Sequence, residues 1–368
     1  MRSGYTPAMS EIAPWTAGAA LLAYTRAGLE NDAAAELTDR ATGAGIHGYC
    51  RTHRDGGLVE FHSHDGTPVA PLLRALPFTA LVFIRQWLTG HGWLTGLPEQ
   101  DRLTPLLQAL PPGDVYADVR LEYPDTNDGK GLSRFCRGFG RAVEQALRQR
   151  GALDAHAVQR LHLLFTDSAT VFPGIAPLDN SSPWPLGIPR LRMPAEAPSR
   201  STLKLEEALL TLLHPAERER LLHAGATAVD LGAAPGGWTW QLVRRGLHVT
   251  AVDNGPMDTA LLDSGLVDHR REDGFRYRPR RPVDWLVCDM VERPSRILPL
   301  MTAWLTEGAC RQAIFNLKLP MKQRHATVRD GLEQLRAALQ RSGRTMDVRC
   351  KQLYHDREEV TVCVLPSA

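Results

Sequence analysis

A chain of 368 residues is longer than one ordinary hydrophobic core supports and calls for two or three domains. Its 43% hydrophobic and 23% charged residues are those of a globular protein, which sets disorder aside, and no apolar run reaches the roughly 18 residues of a spanning helix. The formal net charge of +2 does not by itself call for nucleic acid, so any nucleic-acid face would have to come from local clustering.

Residues 1–18 read as a loose leader in which Pro7, Glu11 and Pro14 interrupt any signal-peptide core, so the expected location is the cytoplasm, with no membrane partner. The six cysteines (Cys50, Cys136, Cys288, Cys310, Cys350, Cys363) lack CxxC spacing, which argues against zinc and against a disulfide framework. They are expected to be reduced and mostly buried.

Residues 19–92 read as a small α+β, ferredoxin-like unit. Leu21–Tyr24 is strand-like, and Leu29, Ala33 and Leu37 mark one face of a helix. Ile46–Thr52 and Leu58–His62 flank Asp55-Gly56 as a hairpin, and a further helix and strand end near Leu81–Trp87. In residues 93–180, Val115, Ala117, Val119 and Leu121 alternate as a half-buried strand, and a helix spans about Leu132–Arg148. Strands near Leu161–Thr166 and Thr170–Phe172 follow. Seven prolines between Pro173 and Pro198 predict a semi-rigid connector that is neither helix nor central sheet, and the linker is placed at residues 181–200.

From 201 to 368 the pattern alternates β and α. Strands are expected near Ala226–Leu231, His248–Asp253, Trp285–Cys288, Ile314–Leu317, Met346–Leu353 and Glu359–Leu365, with helices such as Thr239–Arg245 and His325–Arg341, the latter stopped by Gly343. This is the signature of an α/β, Rossmann-like, doubly wound domain.

Asp230-Leu231-Gly232-Ala233-Ala234-Pro235-Gly236-Gly237-Trp238 is the first chemical signal: a strand ends, a glycine-rich turn follows, and a helix begins. Asp253 ends the next strand, placed to accept from a ribose diol. A nicotinamide enzyme uses a similar turn, but G-x-G-x-x-G is absent, and Asp230 suits a sulfonium-amine cofactor better than a pyrophosphate. The motif resembles that of FtsJ-type ribose methyltransferases. The resemblance implies S-adenosyl-L-methionine, with Ser201, Ala234, Pro235, Gly236 and Gly237 along its methionine side, Asp253 at its ribose, Asp273 at its adenine, and Asp289 also beside it.

Four ionisable residues stand at element ends: Lys204 early in the domain, Asp289 after Trp285–Cys288, Lys318 after Ile314–Leu317, and Glu359 opening the last strand. Charges at the ends of buried strands are costly unless partnered or functional. Methyl transfer to a ribose hydroxyl needs that weak nucleophile deprotonated and aligned. Lys318 is assigned as the base, its amine made neutral by burial or by a neighbouring cation. Lys204 tunes it and steadies the oxyanion, while Asp289 and Glu359 orient both lysines. The set resembles the Lys-Asp-Lys-Glu tetrad of 2′-O-methyltransferases. A base-directed N-P-P-[YF] loop is absent, since Met290-Val291-Glu292 follows Asp289.

Tyr24-Thr25-Arg26-Ala27-Gly28-Leu29-Glu30, Leu76-Pro77-Phe78, Arg85-Gln86-Trp87, Gly187-Ile188-Pro189-Arg190-Leu191, Ser199 to Glu207 and Gln352 to Glu359 resemble the RlmM family over residues 19–365. The departures are Ala234, where a cysteine is common, and the leader. The resemblance implies 2′-O-ribose methylation of a cytidine in 23S ribosomal RNA, naked or in a large-subunit precursor, by a chain taken as monomeric. It also implies that residues 93–180 form a THUMP-like RNA-binding domain. Lys130, Arg134, Arg137, Arg141 and Arg148 form a basic stripe that could neutralise phosphates, and Arg190, Arg192 and Arg200 flank the linker. A small-molecule methyltransferase would leave the front half without a purpose. A non-catalytic assembly factor would be expected to lose the base or the turn, and both are retained.

Overall fold

A computed structural model describes Gly18 and residues 20–367, so nearly all of the expected leader lies outside the described residues. The chain divides into two compact units. One comprises residues up to Phe78 together with Gln86–Gly187, and the other Thr79–Arg85 together with Ile188 onward.

The first unit is built on one seven-stranded sheet. Its strands are β1 (Ala20–Tyr24), β2 (Gly48–Thr52), β3 (Leu58–Ser63), β4 (Gln86–Gly90), β5 (Val119–Glu122), β6 (Gln159–Asp167) and β7 (Thr170–Pro177), in the order β2-β3-β1-β4-β7-β6-β5. All neighbours are antiparallel except β5 and β6. The β2–β3 hairpin forms as its turn residues predict, with Asp55 at a positive φ of 57°. The helix Glu30–Gly43 buries Ala33 and Leu37, and the helix Ser133–Gln149 buries Cys136, Val143 and Leu147.

Three local expectations change. The strand expected to end near Leu81–Trp87 begins only at Gln86; Leu81–Ile84 are buried but are not strand, and they belong to the second unit. Of the alternating run from Val115, only Val119 onward forms the strand. Val115 is exposed, and the buried residue is Tyr116, joined to Leu153 by a single bridge. Prolines also enter a central strand: β7 runs through Pro173 to Pro177 between β4 and β6. The ladder on the β4 side explains how this is tolerated. Gly90 pairs with Gly174, and Val171 N–H donates to Leu94 O at 2.9 Å. Pro173 shares the direction of Val171, so its missing N–H falls in the gap between these two contacts.

The second unit carries another seven-stranded sheet: β8 (Thr227–Leu231), β9 (His248–Val252), β10 (Val267–Arg270), β11 (Val283–Cys288), β12 (Cys310–Lys318), β13 (Met346–Lys351) and β14 (Glu359–Pro366), in the order β10-β9-β8-β11-β12-β14-β13. Strands β8 to β12 run parallel to one another, and β14 is antiparallel to both β12 and β13. The inner strands are largely apolar because helices cover both faces. Leu205, Leu209, Trp238, Trp285, Ile314 and Cys363 share one core. The helix Arg324–Arg341 stops at Gly343 (φ 73°), where Arg344 N–H reaches Leu339 O and Gly343 N–H reaches Gln340 O, a Schellman closure. Strand order reverses between β8 and β11. Open α/β sheets form their ligand crevice at such a point, beyond the strands' carboxyl ends.

Candidate active site

The turn after β8 begins the crevice. Gly232 (φ 79°) and Gly236 (φ 119°) hold left-handed conformations that side chains resist. A β-carbon on Gly232 would stand 2.6 Å from Met290 Cγ, so the bare backbone lies against the segment that follows Asp289. Gly237 opens the helix Gly237–Val243 beside the hydroxyls of Ser199 and Ser201, which share a 2.7 Å hydrogen bond. Asp253, just past β9, accepts from Ala234 N–H at 3.1 Å and from Gly255 N–H at 2.7 Å, tying the turn to the neighbouring strand. A carboxylate keeps lone pairs beyond these two. Pro235 O accepts from Asp258 N–H. Asp273 accepts from Phe275 N–H at 2.9 Å, and Gly274 beside it lies against Met290 and Leu231.

Asp230 is buried and accepts from Thr239 Oγ1 at 2.7 Å through one oxygen. Its other oxygen, Oδ1, is buried with no hydrogen-bond partner among the described residues. Burial pushes this carboxyl up to about 7, with Asp289 and Asp253 adding to the rise. A spare buried acceptor, a bare glycine backbone and a group of acids are suited to a cationic sulfonium-amine ligand and poorly suited to a phosphate.

The second half of the crevice is assembled from four elements. Lys204 rises from the helix Thr202–Leu212 and places Nζ 3.0 Å from Asp289 Oδ1 and 2.9 Å from Glu359 Oε2. Asp289 follows β11 and Glu359 opens β14. Burial opposes the charge on Lys204, but the two carboxylates outweigh it and raise its proton affinity, so the ammonium persists at neutral pH. The Asp289 carboxyl is pushed up by burial, opposed by Lys204 and reinforced by Glu359. Asn316, on β12, donates from Nδ2 to Asp289 Oδ1 at 2.7 Å and to Glu359 Oε2 at 3.1 Å. Sequence reasoning missed this neutral residue. The available signal was its position two residues before Lys318, on the same face of one strand.

Three of the four expected catalytic residues are thus in direct contact. Lys318 is exposed at the end of β12, which removes burial from the two expected routes to a neutral amine, and its Cα is paired in register with that of Glu359. It shares a sheet face with Asn316 and Glu359. A further anchor sits one helical turn from Lys204, where Glu207 accepts from the backbone N–H groups of Tyr354 (2.8 Å) and His355 (2.9 Å) and contacts His355 Nδ1 at 2.7 Å. It pins the loop leading to Glu359 onto the helix that carries Lys204.

In the first unit, Arg134, Arg137, Arg141 and Arg148 are exposed on one side of the helix Ser133–Gln149, with Lys130 exposed just before it. Arg148 is paired with Glu144 at 2.7 Å. Arg137 and Arg141 line a groove of about 490 Å³ against the edge strand β5, with Val119, Leu121 and Tyr123 on its wall. Arg190 and Arg192 fall in the second unit, where Arg190 lies over the Tyr354 ring and donates to its hydroxyl at 3.2 Å.

The sequence matches three known domain families end to end: RlmM ferredoxin-like domain over residues 19–88, the N-terminal domain of ribosomal RNA large subunit methyltransferase M over 101–176, and FtsJ-like methyltransferase over 197–362. It is 50% identical over 350 residues to ribosomal RNA large subunit methyltransferase M of Azotobacter vinelandii, covering 94% of this chain and 99% of that one. The chain belongs to the RlmM family. Two more RlmM proteins are similar to it, that of Alkalilimnicola ehrlichii (52% identical, 93% of each chain) and that of Cellvibrio japonicus (49%, covering 93% of this chain and 97% of that one). Like them it is an RlmM-type rRNA methyltransferase, with an α/β FtsJ-like fold in its second unit. Among the described residues no helix is long and apolar enough to cross a membrane.

Proposed function

We propose that this chain methylates the ribose 2′-hydroxyl of a cytidine in 23S ribosomal RNA, with S-adenosyl-L-methionine as methyl donor and Lys318 as general base. The observation that carries the reading is the Lys204 ammonium clamped between Asp289 and Glu359, on the sheet edge that ends in Lys318 and beside the glycine turn. Bound S-adenosylmethionine supplies an electrophilic methyl group on a sulfonium. Ser201, Ala234, Pro235, Gly236 and Gly237 would line its methionine side. Asp253 would accept from its ribose, Asp273 and Asp289 would flank the remainder, and Asp230 would lie beneath the turn with its second oxygen unengaged among the described residues.

On this reading the Lys318 amine takes the 2′-hydroxyl proton. Lys204, held protonated, presents a fixed positive charge that stabilises the developing oxyanion. Asp289 and Glu359 keep Lys204 in place. The stripe of Lys130, Arg134, Arg137, Arg141 and Arg148 serves to hold RNA through its phosphates, and unpaired loop RNA is the target most easily splayed into a crevice.

The test is transfer from labelled S-adenosylmethionine to 23S RNA lacking the modification, followed by nucleoside mass spectrometry. The expected product is 2′-O-methylcytidine. A base-methylated product would overturn the ribose assignment, and no transfer to RNA would overturn the substrate. In the same assay, Arg137→Glu with Arg141→Glu is expected to raise the RNA KM about tenfold or more and to flatten its salt dependence. An unchanged RNA KM would remove the stripe from the RNA-binding face.

A further inference from the structure

Behind the Lys204 clamp lies a buried chain of polar side chains that the proposed chemistry does not use. Asn316 Oδ1 is 2.7 Å from Thr361 Oγ1, and Thr361 Oγ1 is 2.9 Å from Asp356 Oδ2. Asn316 is 3% exposed, and Thr361 and Asp356 are fully enclosed. Both Asn316 and Asp356 present an oxygen to a hydroxyl that has only one hydrogen to give.

The outer end of the chain resolves the conflict. Asn316 Nδ2 faces Asp289 Oδ1 and Glu359 Oε2 at once. Turning the amide over would set its oxygen against two carboxylates, both of which are needed as acceptors for the Lys204 ammonium. The amide orientation is therefore determined, and Thr361 must donate outward to Asn316. Its remaining contact, to Asp356, can then only be one in which Thr361 accepts. We infer that Asp356 is a neutral carboxylic acid that donates through Thr361 to Asn316, and that it acts as a positioning residue holding the Asn316 amide with both hydrogens towards Asp289 and Glu359.

The surroundings agree. Burial drives the Asp356 carboxyl well above the usual carboxylate range, and the charges of Glu359 and Glu207 add to the rise, opposed by the Thr361 contact and by Lys204. Asp356 Oδ2 also accepts from Leu353 N–H at 3.3 Å, which the lone pairs of an acid hydroxyl oxygen allow. Asp289 is the other acid at the far end of the chain, beyond Asn316. A deprotonated Asp356 would leave two acceptors competing for one hydroxyl hydrogen and weaken the hold on the amide oxygen. The donor that keeps Asp289 and Glu359 side by side would then be held from one end only.

This inference rests on reading Lys204, Asp289 and Glu359 as catalytic machinery, so its test has one arm independent of activity. Infrared difference spectra of the full-length protein at neutral pH, wild type minus Asp356→Asn, are expected to show a protonated carboxylic acid C=O band in the wild type only. Finding only ionised carboxylate lost in that difference would overturn the inference, whatever the activity data show.

In the kinetic arm, Asp356→Asn supplies another neutral donor and is expected to keep kcat within about threefold, whereas Thr361→Val, which breaks the chain, is expected to lower kcat about tenfold. The KM for S-adenosylmethionine should stay within about twofold in both, because neither residue borders the glycine turn, and Thr361→Ser should restore most of the Thr361→Val loss. An Asp356→Asn defect as deep as that of Asp356→Ala, or a Thr361→Val loss that appears in KM alone, would overturn the positioning role. Failure of the wider reading would look different: Lys318→Ala would stay active while the acid band remained.

Discussion

Lys318→Ala is expected to reduce methyl transfer by roughly 10²–10⁴-fold, the usual worth of a positioned general base, while leaving S-adenosylmethionine affinity within about threefold. The physical case is the isolation of this side chain. It is exposed at the end of β12, and no ion pair or hydrogen bond engages its amine among the described residues. Removing it should therefore cost little stability, within about 0.5 kcal/mol. Calorimetric titration with the cofactor and single-turnover transfer to RNA separate the two effects. Lys318→Arg sharpens the result, because a guanidinium keeps the charge but does not give up its proton at neutral pH. An active Lys318→Arg enzyme would show that charge suffices and would end the base assignment. Lost cofactor affinity in Lys318→Ala would mean that a binding lysine had been taken for a catalytic one.

The second large effect is expected at a residue outside the catalytic set. Phe83 is fully buried in the second unit and meets the His325 ring edge-on, although it precedes the rest of that unit by more than a hundred residues. Phe83→Ala should destabilise the second unit by about 3–5 kcal/mol, the cost of emptying a buried aromatic site. Guanidinium unfolding followed by tryptophan fluorescence measures it, since Trp285 and Trp304 are fully enclosed there. A loss under about 1 kcal/mol would mean that the segment merely rests on the unit. The reason to expect more is the bonding around it. Lys351 Nζ donates to Leu81 O at 2.8 Å, Gln352 N–H donates to Val82 O at 2.8 Å, and Arg85 Nη2 donates to Gln352 Oε1 at 2.9 Å. These contacts close the end of the edge strand β13, which would otherwise present unpaired backbone.

Much of the second unit was legible because its physics is local. The apolar runs before Gly232, Asp289 and Lys318 are what a sheet covered on both faces requires, and each ends in a residue type too costly to place there idly. Lys204 and Glu359 were legible for the same reason. Asn316 was not, because a neutral amide inside an apolar run carries no charge to signal it. Strand β10 was missed because Val267-Asp268-His269-Arg270 is short and polar, as an edge strand can be. The misreadings in the first unit have one cause: periodicity reports that a residue is buried, not in which core. Leu81–Ile84 are apolar enough for a strand of the first unit, but they are buried in the second. Pro173 was read as a breaker because the gap in the β4 ladder that accommodates it is set by residues about eighty positions earlier.

The excursion of Thr79–Arg85 has a consequence for how the protein is made. Arg85 and Gln352 are 267 residues apart in the chain, so the segment leaves the ribosome well before its partners exist. At typical synthesis rates of 5–20 residues per second, the backbone of Leu81 and Val82 waits roughly 15 to 50 seconds for Lys351 and Gln352. The first unit can close its sheet during that interval only by leaving this stretch outside. The contacts of this short apolar hook with Lys351 and Gln352 are therefore among the last that synthesis permits, and the second unit is completed by taking that hook in.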